Sequence, residues 1–192
     1  MIYFVFGSNE AGYHGAGSAL EALLHHGAKN GIGEGPSGSS YAIPTKDSNL
    51  KTLSKIEIFK YVRAFIKFAK EHPKDEFEIV KIGCGLAGYN DADIAPMFFS
   101  LPQNCIVHSD WYRLIKDANI ERNSARRLSN SEFVESVMNE SKEGSMTSIY
   151  LVNLMFIALD KINLQMPEIF NKEMIDRIEY ELRYKFELKY GE

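Results

Sequence analysis

Three segments, two of them rich in glycine, hold the residues that could do chemistry. In the first, Phe6 to Leu20, an apolar run gives way to a loop containing Gly7, Gly12, Gly15 and Gly17, and then to a helical pattern. Glycine lets backbone N–H groups come close to an anion, and a helix N-terminus adds a favourable dipole. A phosphate would fit such a turn, and so would plain packing. His14 lies inside this loop beside Gly7, Ser8, Asn9, Gly15, Ala16 and Gly17. An imidazole titrates near neutrality, so His14 is a candidate general acid or electrostatic contact.

The second segment, Ile82 to Tyr89, again follows a strand-like run and contains Gly83, Gly85 and Gly88 in a literal G-x-G-x-x-G. Asp110 follows at a spacing suited to a ribose contact. A dinucleotide-binding unit opens its helix within the glycine motif, whereas here the expected cap, Asp91, comes after it. The third segment, Tyr41 to Asp47, runs from a strand into Pro44-Thr45-Lys46-Asp47. A lysine at the carboxyl end of a strand is where an open α/β sheet places its site.

Other candidates are weaker. His25 and His26 are neighbours, about 100° apart on a helix, and make a poor chelate. With no third ligand at metal spacing, no metal site and no cofactor is expected. Cys84 is a thiol without a histidine nearby in sequence, and a small buried cysteine is the commoner case.

These segments need elements to hold them. Ile2 to Phe6, Tyr41 to Ile43, Phe77 to Ile82 and Cys105 to His108 read as strands. Ala16 to His26 reads as a helix stopped by Gly27, and Asn30 to Ser40 as a loop. Ser54 to Glu71 has apolar residues at Ile58, Tyr61, Val62, Phe65, Phe68 and Ala69, a helical spacing, with Pro73 past its end. Asp91 is expected to cap a short helix through Phe99. The order predicts an α/β layered sheet.

Twelve of the fourteen glycines lie at or before Gly88. The expected division is therefore an α/β domain over 1–110 and a helical extension over 111–192. Helices are expected at Ser131 to Asn139, at Thr147 to Gln165 and from Pro167 to about Lys189. The apolar Thr147 helix calls for a partner surface, on the sheet or in a homodimer. Arg122, Arg126 and Arg127 form a local basic cluster, more typical of a solvated face than of a phosphate contact.

Composition narrows the classes. The 192 residues are 45% hydrophobic and 25% charged, which suits one globular domain with or without an appendage. A net charge of −4 argues against generic nucleic-acid binding through a basic surface. The longest apolar run, Ile149 to Leu159, is too short to span a bilayer, so no membrane partner is expected. The first residues have no basic leader region. With two cysteines, a reducing cytoplasm is the expected compartment.

Taken in order, His14 to Leu20, Tyr41 to Lys46 and Ile82 to Tyr89 with Asp91 to Phe98 resemble the macro domains. The likeness is to the compact type encoded by bacteriophages and some bacteria, for which the compartment would be the host cytoplasm. It covers roughly residues 1–110. The resemblance implies a three-layer macro-like α/β fold and binding of ADP-ribose or a related nucleotide. It implies that Gly7, Ser8 and Asn9 lie by the ligand, Asn9 near the distal ribose. Gly15, Ala16 and Gly17 would line one side of the diphosphate. Gly83, Cys84, Gly85, Leu86, Ala87 and Gly88 would wrap the other side, with Tyr89 near the distal ribose and the adenine against apolar residues by the first strand. One hydrolytic branch pairs a lysine, matched by Lys46, with an aspartate whose position is Ala87 here. A phosphatase branch acting on ADP-ribose 1''-phosphate uses a histidine and an acidic residue, for which His14 and Asp91 stand. The implied roles are thus a reader or sequestering protein, an ADP-ribosyl hydrolase or an ADP-ribose 1''-phosphate phosphatase. The remaining alternative is an interaction protein whose glycine loops are only turns.

Overall fold

A computed structural model describes the backbone of residues 1–126 and the side chains of residues 1–120. The three helices expected after Ser131 lie outside the described residues. Among the described residues, five strands form one mixed sheet: β1 (Ile2–Asn9), β2 (Gly35–Ser37), β3 (Ser40–Lys46), β4 (Glu76–Ile79) and β5 (Cys105–Val107). Their spatial order is β2-β3-β1-β4-β5. β3, β1, β4 and β5 run parallel, and β2 lies antiparallel to β3. The short β2 falls in the glycine- and serine-rich stretch expected to be a loop. With only three residues and no apolar alternation, it forms because β3 offers an edge.

β3 continues through Pro44, which pairs in register with Ser8 of β1. Proline has no N–H to give a ladder, and it is tolerated here because β2 pairs only as far as Ala42, leaving β3 without a second neighbour at Pro44.

The first helix, α1 (Gly17–His25), and the second, α2 (Lys55–Glu71), cover opposite faces. Register partners share a face, and Phe6 with Ala42 lies under Ala19 and Ala22 of α1. Val5 with Tyr41 faces the other way, where Phe65 of α2 packs 5.1 Å from the Tyr41 ring and 5.6 Å from Phe77. Phe65 is fully buried, which is worth about 1.5–3 kcal/mol against leaving it in water. Of the apolar stripe that its helical spacing predicts for α2, Ile58, Val62, Phe65 and Ala69 are buried and Tyr61 and Phe68 half-buried, and Ile56, Phe59 and Ile66 widen the buried face. Ser54 starts that helix with a full capping box to Glu57.

After β4, the chain forms a loop, then α3 (Asp91–Ile94) and a 3-10 turn over Ala95–Phe98. The cap of α3 is Asn90, one residue earlier than expected. Its side chain accepts from Asp93 N while the Asp93 side chain returns to Asn90 N. Asp91 is thereby the first helical residue, with its carboxylate free to turn elsewhere. The last described helix, α4 (Ser109–Arg126), starts at the expected boundary region and buries Trp111, Ile115 and Ala118. The Trp111 ring lies 5.4 Å from that of Phe98. Among the described residues, no helix is long and apolar enough to cross a membrane.

Candidate functional site

The parallel strands stand in the chain order second, first, third, fourth, so the direction of winding reverses between β1 and β4. In an open α/β sheet, the crevice outside the carboxyl ends at that reversal is the usual ligand site. A cleft of about 490 Å³ lies there. Its floor is Gly7, Ser8 and Asn9 of β1, with Thr45 and Lys46 of β3 and Val80 and Lys81 just past β4. One wall is Gly15 to Ala19, and the other is Gly83, Gly85, Leu86 and Ala87. The three segments singled out in the sequence therefore meet at one place.

The first wall is the start of α1. Ala16 holds the cap position in extended conformation and offers no side-chain oxygen, so the first N–H groups of the helix have no side-chain partner. The capping boxes of α2 and α3 make the contrast. Among the described residues, no hydrogen bond takes the backbone N–H of residues 15–19 or of residues 83–87. Gly83 adopts a left-handed φ of 75°, which turns the chain sharply after Ile82. Gly15 and Gly85 differ: their φ lies outside the left-handed region, and a Cβ at either would meet nothing within 4 Å. The protein's own packing does not call for glycine at either position, and both open onto the cleft.

No acidic side chain lines the cleft among the described residues, and two lysines do. Lys81 is neutralised: its Nζ donates to Asp91 Oδ2 at 2.6 Å and to Asp110 Oδ2 at 3.1 Å. These two hydrogen bonds hold the ammonium above its ordinary pKa. Burial pushes the Asp91 carboxyl up, but Lys81 first, then Trp111 and Cys84, outweigh it and hold it below its ordinary value. Trp111 Nε1 acts without closing a hydrogen bond of its own. Lys46 is different, since among the described residues its ammonium has no ion-pair or hydrogen-bond partner.

Asn9 and Ser8 are committed to the loop. Asn9 Nδ2 donates to Tyr13 O at 2.8 Å, and Asn9 Oδ1 accepts from Tyr13 N at 3.0 Å. Ser8 O accepts from Thr45 Oγ1, tying β1 to β3 at the cleft floor.

The remaining sequence candidates stand outside the lining. His14 is 1% exposed, beneath the first loop, with its ring edge-on to Phe6 at 5.2 Å. Its Nε2 lies 3.2 Å from Ser8 Oγ, and its backbone N–H donates to Asn30 Oδ1. Burial lowers its pKa. Asp91 faces Lys81. The Cys84 thiol donates to Ile82 O and is pushed up to about 12 by burial first and by Asp91 next, so it is no thiolate near neutral pH. The Tyr89 hydroxyl donates to Leu53 O at 2.6 Å, and Gly88 N donates to Gly85 O, so both brace the second loop.

Sequence reasoning missed Lys81, Val80 and Leu50, and it gave no role to Tyr13, Ser18, Ala19 or Thr45. Lys81 carried the same signal as Lys46, a lysine at the carboxyl end of a strand. Leu50 carried none, because its place depends on how the loop after β3 folds back. No group of three or more histidine, cysteine or acidic side chains is placed to hold a metal among the described residues. Comparisons of the chain with protein-family models, with curated proteins and with solved structures give no match.

Proposed function

We propose that the cleft binds the diphosphate of ADP-ribose or of a related nucleotide, and that the protein reads or sequesters that ligand. One observation carries the reading. Two runs of unpaired backbone N–H groups, residues 15–19 and 83–87, flank a single cleft that no acidic side chain lines among the described residues. Hydrogen bonds to a charged partner are worth about 1.5–3 kcal/mol each, so a few such donors suffice for a micromolar ligand. Lys46 adds a cation at the floor. The macro-domain resemblance of residues 1–110 supports the same ligand.

Binding is favoured over hydrolysis. A phosphatase acting through His14 and Asp91 needs both beside the ligand. His14 is buried under the loop, and Asp91 is paired with Lys81. The lysine–aspartate alternative has Lys46 but has Ala87 at the second position.

A thermal-shift panel with ADP-ribose, ADP-ribose 1''-phosphate, NAD and AMP tests the reading. A ligand at about 100 times its Kd stabilises by about 2.7 kcal/mol, a shift of several degrees. A shift with the ADP-ribose compounds and none with AMP is expected, with no product after long incubation. No shift with any of them would sink the proposal.

A further inference from the structure

The floor of the cleft is polar, and its mouth is not. Tyr13, Leu50 and Leu86 are 64%, 50% and 72% exposed, and all three line the cleft from different loops. Exposed apolar residues scattered singly need no explanation. These three converge on one opening, and the backbone or reach of each is fixed. Tyr13 is held at both its N–H and its carbonyl by the Asn9 side chain. Leu50 has a φ of 64°, a left-handed conformation that a leucine rarely takes. Its loop is closed by Asp47, whose Oδ1 accepts from Asn49 N at 2.9 Å and Lys51 N at 2.8 Å, while Leu50 N donates to Asp47 O. Glycine would adopt that backbone freely, so leucine there keeps an apolar side chain at the rim against local strain. Leu86 reaches across the gap, its Cδ1 3.9 Å from where a Cβ on Gly17 would stand.

A bare phosphate gains nothing from such a rim. We infer that the bound anion carries a flat apolar group, and that Tyr13, Leu50 and Leu86 clasp this group at the mouth while the glycine loops take the phosphates. The inference rests on the nucleotide reading and deepens it by assigning the ring of that ligand to Tyr13, Leu50 and Leu86. A planar ring gives Tyr13 a face to stack on and lets the two leucines close over its edges.

The test is calorimetric titration of the full chain and of Tyr13→Ala, Leu50→Gly and Leu86→Ala with ADP-ribose, and with inorganic pyrophosphate as the probe without a ring. Each truncation is expected to raise the Kd for ADP-ribose about three- to tenfold, the loss of one partly buried apolar contact. Pyrophosphate affinity should not follow. Tm should hold in Tyr13→Ala and Leu86→Ala and should rise in Leu50→Gly as the left-handed strain is released, which separates a ligand contact from a folding defect. Unchanged ADP-ribose affinity in the three variants overturns the inference while leaving the nucleotide reading in place. An equal loss for pyrophosphate overturns it too, because the residues would then act on the phosphate site. Binding of neither probe removes the nucleotide reading and this inference with it.

Discussion

Ser8 Oγ and His14 Nε2 lie 3.2 Å apart, sealed beneath the first glycine loop. Ser8 has one hydroxyl hydrogen, and Ser8 Oγ donates to Asn9 O at 3.3 Å. The serine oxygen accepts from His14 when the imidazole hydrogen is on Nε2; with that hydrogen on Nδ1, the hydroxyl turns and donates to Nε2 instead. Nδ1 is buried without a partner among the described residues. In either tautomer the histidine is a strut that joins the loop to the end of β1.

A strut of that kind has a pH signature. Burial lowers the folded pKa of His14 below the unfolded value of 6.5, so at acid pH the unfolded chain binds the extra proton first. Stability is then fully present above about pH 6.5 and is lost as pH falls toward the folded pKa. Urea melts at pH 7.5 and 5.5 should show wild type losing more stability than His14→Phe, a variant that keeps the contact with Phe6. An equal loss in both would mean that other groups carry the acid sensitivity. His14→Ala should cost about 2–3 kcal/mol, from the cavity and the lost hydrogen bond together.

Lys46 should separate binding from stability. Its ammonium has no partner among the described residues, so Lys46→Met should leave Tm within a degree or two of wild type, a change of under about 0.5 kcal/mol. The same variant should weaken ADP-ribose binding about tenfold, the worth of one charge-assisted hydrogen bond, and flatten the salt dependence. A titration at two salt concentrations reads both effects.

The glycines should sort into two groups. A Cβ on Gly12, where φ is 69°, would meet Ile32 N at 2.5 Å and the Gly31 backbone at 2.6 Å. Gly12→Ala should therefore destabilise by about 2 kcal/mol or more. Gly15→Ala and Gly85→Ala meet no atom within 4 Å and should keep wild-type stability, while narrowing the cleft and weakening the ligand. If Gly15→Ala bound ADP-ribose as wild type does, close approach of the loop to the ligand would be refuted.

Both thiols should be sluggish. Burial pushes Cys84 and Cys105 up to about 12, so each is almost wholly protonated at pH 8. Alkylation by iodoacetamide, followed by intact mass, should be slow for the native protein and rapid in denaturant. Fast single labelling at Cys84 in the native protein would contradict its placement against Ile82 O.

The readable part of the sequence was the part fixed by local rules. The stripe of α2 follows from residues three and four apart, and the turn after Ile82 from glycines that alone take its φ. β2 was not readable, because three residues without alternation pair only when β3 is already beside them. The one-residue error at α3 has a local cause: Asn90 and Asp91 are both good caps, and the choice went to the residue whose partner, Asp93, closes a capping box. Asp91 was read as a site residue beside the second loop, and its actual partner, Lys81, is ten residues away on the far side of that loop. Leu50 and Tyr13 at the cleft mouth depend on contacts between loops, which no window of neighbouring residues contains.

Among the described residues, the strand that carries Ser8 and Asn9 comes before the other four, yet it lies at the centre of the sheet, with β3 and β4 as its neighbours. Its two edges are closed only after residues 40–46 and then 76–79 have been made. During synthesis, Ile2 to Asn9 is open on both sides until residues 40–46 have been made, and on one side until residues 76–79 have followed. The cleft is therefore complete only once β4 and the second glycine loop have followed. A chain cut before β4 would keep the first glycine loop but expose one flank of β1 to other chains, an invitation to aggregate. Half of this fold is not half of the binding site.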